Sequence, residues 1–252
     1  MKKISLFLIS VFFTFVCFSQ TNAVVNSDSI NKTDSKNMKQ GYWEDAIGQY
    51  ITKGKYIDSK KDGTWVTYNQ KDVITKIESF NNGVQDGISI IIDDNGYLKG
   101  EENYKNGNKN GFFRTYFSGG RLKNEIFYQN GIINGTKKSF YESNFNLQEE
   151  ALYLNGQRNG ITKWYNSSNI IIAEYLYKNG NFDGVNKSYF ESGNLMTEET
   201  YINGIQTGEY KEYFDDKTPK VKISGTYKNG NKTGNWLEYD DTGKIIKTTP
   251  YK

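Results

Sequence analysis

The sequence predicts an all-β fold: an elongated, single-sheet antiparallel β-meander built of about eight β-hairpin repeats of roughly 24 residues. Three observations carry that expectation. Asn-Gly recurs at Asn82, Asn106, Asn130, Asn155, Asn179, Asn203 and Asn229, at spacings of 24, 24, 25, 24, 24 and 26 residues. A second glycine follows each of the first glycines at a fixed offset of four residues, from Gly87 to Gly234. Between these turns the chain is rich in Tyr, Phe, Ile and Thr, which suit a pleated, half-buried surface, and only 2 Pro interrupt it.

Taken in chain order, residues 1–19 read as a signal peptide. Lys2 and Lys3 precede an apolar run from Ile4 to Phe18, and small residues follow at Ser19 and Ala23, either of which suits cleavage. The run is short for a membrane span. Export is therefore expected, to the periplasm, the cell surface or the medium. The 1 Cys, Cys17, lies inside the leader, so stability outside the cell has to come from packing and backbone pairing. Residues 20–38 are polar and lack aromatics, and are expected to form a flexible linker. The repeat array then covers 39–252.

Each unit needs two turns. One is the Asn-Gly-x-x-x-Gly segment, and the other lies nine residues after the second glycine, at Gly96, Gly120, Asn144, Asn169, Gly193 or Gly243. Gly and Asn enter left-handed backbone conformations at little cost. The segments between have strand length, so one unit is a hairpin. Two weaker copies precede the seven clear ones, around Gly41 with Trp43 and around Gly63 with Trp65 and Tyr68.

Strand parity separates two faces. Counting from the second glycine, Leu98, Leu122, Ile171 and Leu195 fall at eleven and a Tyr falls at seventeen, while Glu101, Glu125, Glu174 and Glu198 fall at fourteen. An unbroken strand puts odd positions on one face and even positions on the other. One face is thus expected to be an aromatic and aliphatic ladder, and the other to carry charge. The tyrosines that recur in register are the candidate partner-binding residues: Tyr116, Tyr165, Tyr189 and Tyr213 in the first strand of the unit, and Tyr104, Tyr128, Tyr153, Tyr177 and Tyr201 in the second.

The unit is well represented by Tyr104-Lys105-Asn106-Gly107-Asn108-Lys109-Asn110-Gly111-Phe112-Phe113 and by Tyr227-Lys228-Asn229-Gly230-Asn231-Lys232-Thr233-Gly234-Asn235-Trp236. It resembles the MORN repeat, and specifically the bacterial variant found in antitoxin proteins of the YwqK type, from about Gly41 to the end of the sequence. The resemblance implies a β-hairpin array with a protein-interaction role, and the family's name implies a toxin-antitoxin module.

Several chemistries are set aside. With 0 His there is no imidazole base and no His-ligated metal, and after export no thiol remains. No phosphate-binding loop is present. The pairs Glu101-Glu102, Glu149-Glu150 and Glu198-Glu199 recur with the repeat, and are expected on a solvated strand face rather than in a single catalytic site. Asp93-Asp94-Asn95-Gly96 and Asp240-Asp241-Thr242-Gly243 are read as turns, because they lack the ligand spacing of a calcium loop. No cofactor is expected. Removing Lys2 and Lys3 from the 32 basic residues leaves 30 against 29 acidic ones, a balance that argues against nucleic acid and offers little to an anionic membrane. The expected function is that of an exported, non-enzymatic module that binds a protein partner or serves as a scaffold, with the antitoxin or immunity component of a toxin-antitoxin-like module as a narrower form. Its alternative is a cell-surface glycan or peptidoglycan binder using exposed aromatic rings.

Overall fold

The structure, a computed structural model, describes residues 29–252. The signal peptide expected at 1–19 and the first part of the expected linker lie outside the described residues.

The Asn-Gly turns form first in the logic of the fold, because they are entirely local. At all seven, Asn has φ of 49 to 51° and Gly of 78 to 85°. Two consecutive positive φ values make the two-residue turn whose twist matches that of paired strands. Asp58 and Ser59, with φ of 49° and 62°, make the same turn in an earlier hairpin without Asn-Gly. The opposite end of four of the hairpins is closed by a different local device. Asn69, Asp93, Asn166 and Asp240 accept backbone N–H groups two and four residues onward through Oδ1, at 2.9–3.0 Å. The acidic segments beginning at Asp93 and Asp240 are therefore turns whose first carboxylate is bonded to backbone.

Among the described residues twenty-one strands form one sheet, and every pairing in it is antiparallel. Lys32–Thr33 stands outside the repeat. Asn108–Lys109 with Gly111–Tyr116, and Asn181–Phe182 with Gly184–Tyr189, are each one strand interrupted at a single residue. Eighteen strands remain, or nine hairpins, against an expectation of about eight; they correspond to the seven clear and two weaker copies. The weak copy around Gly41 is a full hairpin, with Gly41–Ile47 lying opposite Tyr56–Tyr50.

Part of the linker expected at 20–38 is structured. Lys32 and Thr33 pair with Gln40 and Lys39. Asn31 donates its backbone N–H to Tyr42 O at 3.0 Å, and its Oδ1 accepts from Glu44 N at 2.8 Å. Asp34 closes the intervening turn by accepting from Lys36 N and Met38 N. This polar strip covers the exposed backbone of Lys39–Ile47, a means of blunting a sheet edge.

The expected division into an aromatic-aliphatic face and a charged face is wrong, and a β-bulge is the reason. In the unit of Gly160, Lys163 pairs with Glu174 and Trp164 with Ala173, but Tyr165 pairs with Ile171, so Ile172 is an extra residue. The same shift recurs in the other units, for example between Ile91 and Ile92, Ser188 and Tyr189, and Glu212 and Tyr213. One inserted residue flips every later side chain to the opposite face. The aliphatic position at eleven therefore shares a face with Glu at fourteen, and Tyr at seventeen points the other way.

Candidate interaction surface

One face of the sheet carries most of the core. Trp65, Ser89, Ala151, Thr162, Ala173, Asn186 and Trp236 are all buried there, Trp65 to 1% exposure. The turn tyrosines Tyr104, Tyr128, Tyr153, Tyr177 and Tyr201 line this face, opposite Gly87 and Lys109, Gly111 and Ile133, Gly135 and Arg158, Gly160 and Phe182, and Gly184 and Gln206 respectively. They interlock with aromatics of the following units: Tyr104 with Phe113, Phe113 with Tyr128, Tyr177 with Phe182 and Phe182 with Tyr201, at centroid separations of 4.8–6.5 Å. A basic residue before the second glycine lies over the rings. Lys61 covers Trp65 and Phe80, Lys109 covers Phe113 and Tyr128, and Lys232 covers Trp236 and Tyr251, at 3.9–5.5 Å.

Two glycines without positive φ belong to this face and escaped the repeat analysis. A Cβ at Gly54 would lie 2.3 Å from the Trp65 ring, and one at Gly225 would lie 2.2 Å from that of Trp236. Each indole fits flat against bare backbone. The sequence signal was there, since both tryptophans stand two residues after a second glycine, but nothing in it says which glycine faces them.

Glu149 is also on this face, buried to 8% exposure between Lys137 at 3.4 Å and Arg158. The expectation of a solvated face for all the paired glutamates fails here. Neighbours in a strand point to opposite sides, so Glu149 is enclosed while Glu150 faces outward.

The second face holds a continuous charged row. Glu101, Arg114, Glu125, Lys138, Glu150, Lys163, Glu174, Lys187, Glu198 and Lys211 lie directly opposite one another across ten consecutive strands. Signs alternate without exception. Salt bridges close Arg114–Glu125 at 2.7 Å, Lys138–Glu150 at 3.2 Å, Lys163–Glu174 at 3.0 Å and Lys187–Glu198 at 3.0 Å.

Tyr116, Tyr165, Tyr189 and Tyr213 flank this row on the same face. Tyr189 donates its hydroxyl to Glu174 at 2.8 Å and Tyr213 to Glu198 at 2.6 Å; Tyr213 is only 7% exposed. Burial and the bond to Glu101 push Tyr116 up to about 12. Burial alone would raise Glu174 and Glu198, but the tyrosine hydroxyls and the ammonium groups of Lys163 and Lys187 hold both below the ordinary 4.5. On the other face, Tyr104 and Tyr201 donate to Glu102 and Glu199 at 2.9 and 2.6 Å, and burial with that bond takes Tyr104 to about 12. The nine candidate tyrosines thus fall into two rows on opposite faces. Five of them, Tyr104, Tyr116, Tyr189, Tyr201 and Tyr213, spend their hydroxyls on glutamates.

Beside the charged row runs a line of aliphatic and aromatic side chains that the sequence analysis did not single out. Phe112, Leu152, Ile161 and Val185 are 40, 43, 48 and 47% exposed, and Ile161, Leu176 and Val185 surround a shallow depression. Their signal is an apolar residue directly after the second glycine, at Ile88, Phe112, Ile161 and Val185, visible in the repeat but masked by the mistaken parity. Apolar side chains aligned in this way leave a strip of hydrophobic area open on the sheet.

Four segments, residues 85–106, 158–179, 182–203 and 232–252, match the family described as the MORN repeat variant. No curated protein matches the chain.

Proposed function

We propose that this chain, four segments of which match the MORN repeat variant, works as an exported, non-enzymatic scaffold that receives a protein partner on its charged face. The observation that supports this reading is the exposed line of Phe112, Leu152, Ile161 and Val185 beside a charged row whose members already pair with one another. The apolar line supplies area to bury, and the fixed charges supply register. Export rests on the basic and apolar run at Lys2 to Phe18. The absence of His, and of any Cys outside that run, supports a non-enzymatic role.

An immunity or antitoxin role is a narrower form of the same reading. It expects a toxin to be released when the gene is deleted, and a deletion without toxicity would remove it. A glycan platform has less support, because the hydroxyls of Tyr104, Tyr189, Tyr201 and Tyr213 are engaged within the sheet. Affinity capture with the wild-type chain and with Ile161→Asp tests the scaffold reading. A stoichiometric protein bound by the first and lost by the second supports it; equal capture by both contradicts it. Cell fractionation tests export, which retention of the full-length chain in the cytosol would refute.

A further inference from the structure

The charged row has a property that a partner of arbitrary chemistry does not explain. It has ten members, alternates in sign throughout, begins with Glu101 and ends with Lys211. A row of even length that alternates in this way is complementary to its own reversal. Lay two copies charged face to charged face, related by a two-fold axis parallel to the strands and passing between Leu147–Leu154 and Gln157–Tyr165. Glu101 of each copy then meets Lys211 of the other, Glu150 meets Lys163 beside the axis, and every pair between has opposite sign. Slipping one copy by a single strand sets like charge on like charge along the whole row.

The apolar line obeys the same symmetry. Leu152 and Ile161, on the two strands that flank the axis, meet each other's counterparts at the centre of the contact. Both are more than two-fifths exposed. We infer that the occupant of this face is a second copy of the chain, in an isologous, antiparallel, face-to-face dimer. The inference rests on the scaffold reading and specifies its partner.

The forces divide between the two rows. Each charge is already neutralised within its own sheet, so stacking the rows adds little net attraction, while misalignment is penalised. Association comes from closing the apolar line, and register from the charges. The ten charged residues, the four of the apolar line and the four tyrosines make eighteen, close to the lower end of the roughly 20–30 residues a side of a standard interface.

Light scattering over a concentration series tests the dimer on the purified chain. The expected result is a mass that doubles with concentration for the wild type and stays monomeric for Ile161→Lys and Val185→Lys, with unchanged circular dichroism and melting in both variants. A wild-type chain that stays monomeric throughout overturns the proposal, as does a dimer that both variants retain. Register is tested separately in a Cys17→Ser background. Phe112→Cys chains mixed with Thr200→Cys chains should cross-link through a short bis-maleimide, and Phe112→Cys chains alone should not. Cross-linking of Phe112→Cys chains to themselves overturns the antiparallel register. A monomer that still captures another protein, in a manner abolished by Ile161→Lys, overturns self-pairing and leaves the scaffold reading standing.

Discussion

The same row of the same face is built in two ways. In the early hairpins it reads Val66, Ile77, Ile90, directly opposite one another; from Glu101 to Lys211 it is ionic. Turns, bulges and strand lengths are alike in both regions. The row therefore does not decide the fold. What the two regions share is the other face, where Trp65 in one and Phe113, Thr162 and Asn186 in the other occupy equivalent positions, two residues after the second glycine. That face and the backbone ladder hold the sheet together, and the charged face is free to serve recognition.

The sharpest way to break this comparison is to attack what is shared. Trp236→Ala should lose about 3–5 kcal/mol, as for a buried aromatic, in urea unfolding followed by tryptophan-independent far-UV signal. A smaller variant shows that shape is the cause: Gly225→Ala drives a Cβ into the indole and should cost about 1–3 kcal/mol by the same measurement. At the turns, Gly180→Ala places a side chain at φ of 83° and should cost about 1 kcal/mol. The row itself should matter least. Lys163→Val with Glu174→Ile rebuilds the early rung in a central unit, and should change stability by less than about 1 kcal/mol, since these pairs are partly exposed. A large loss in this double variant would mean that the charges hold the fold.

Acid separates the regions again. Glu174 and Glu198 titrate below the ordinary 4.5 when folded, so their contribution is present above that value and is lost as pH falls through the folded values. Amide exchange at low pH should accelerate in the central strands before those around Ile77 and Ile90. Base acts in the opposite sense. Tyr104 and Tyr116 are raised from 10.0 to about 12, so what they contribute is present below 10 and is lost as pH rises through 12. Melting temperature should fall over that interval.

Much of this was legible in the sequence. The Asn-Gly pairs gave the period and the place of one turn, and the second glycine at its fixed offset marked the unit, because both depend on backbone conformations that few residues tolerate. The hairpin at Asp58-Ser59 was harder to see, because Asp and Ser reach positive φ there only in the context of the paired strands. The faces were misassigned for a specific reason. The extra residue at Ile172 and its counterparts, such as Lys99 and Met196, has no composition of its own, so parity counted straight through it. With it went the candidate site. Tyr104 and Tyr116 looked like parts of one binding surface and lie on opposite sides, while Ile161 and Val185, which had no place in the expected site, are in the exposed line.

One measurement bears most directly on the two-faced sheet. In a spectrum with labelled Ile and Leu methyl and aromatic ring protons, Tyr175 should show through-space contact to the Trp164 ring, whose centroid is 5.1 Å away, and Ile161 should show contact to Leu176. Contact of Tyr175 to Ile161, without contact to Trp164, would restore unbroken parity, return Glu174 to the other face and contradict the account.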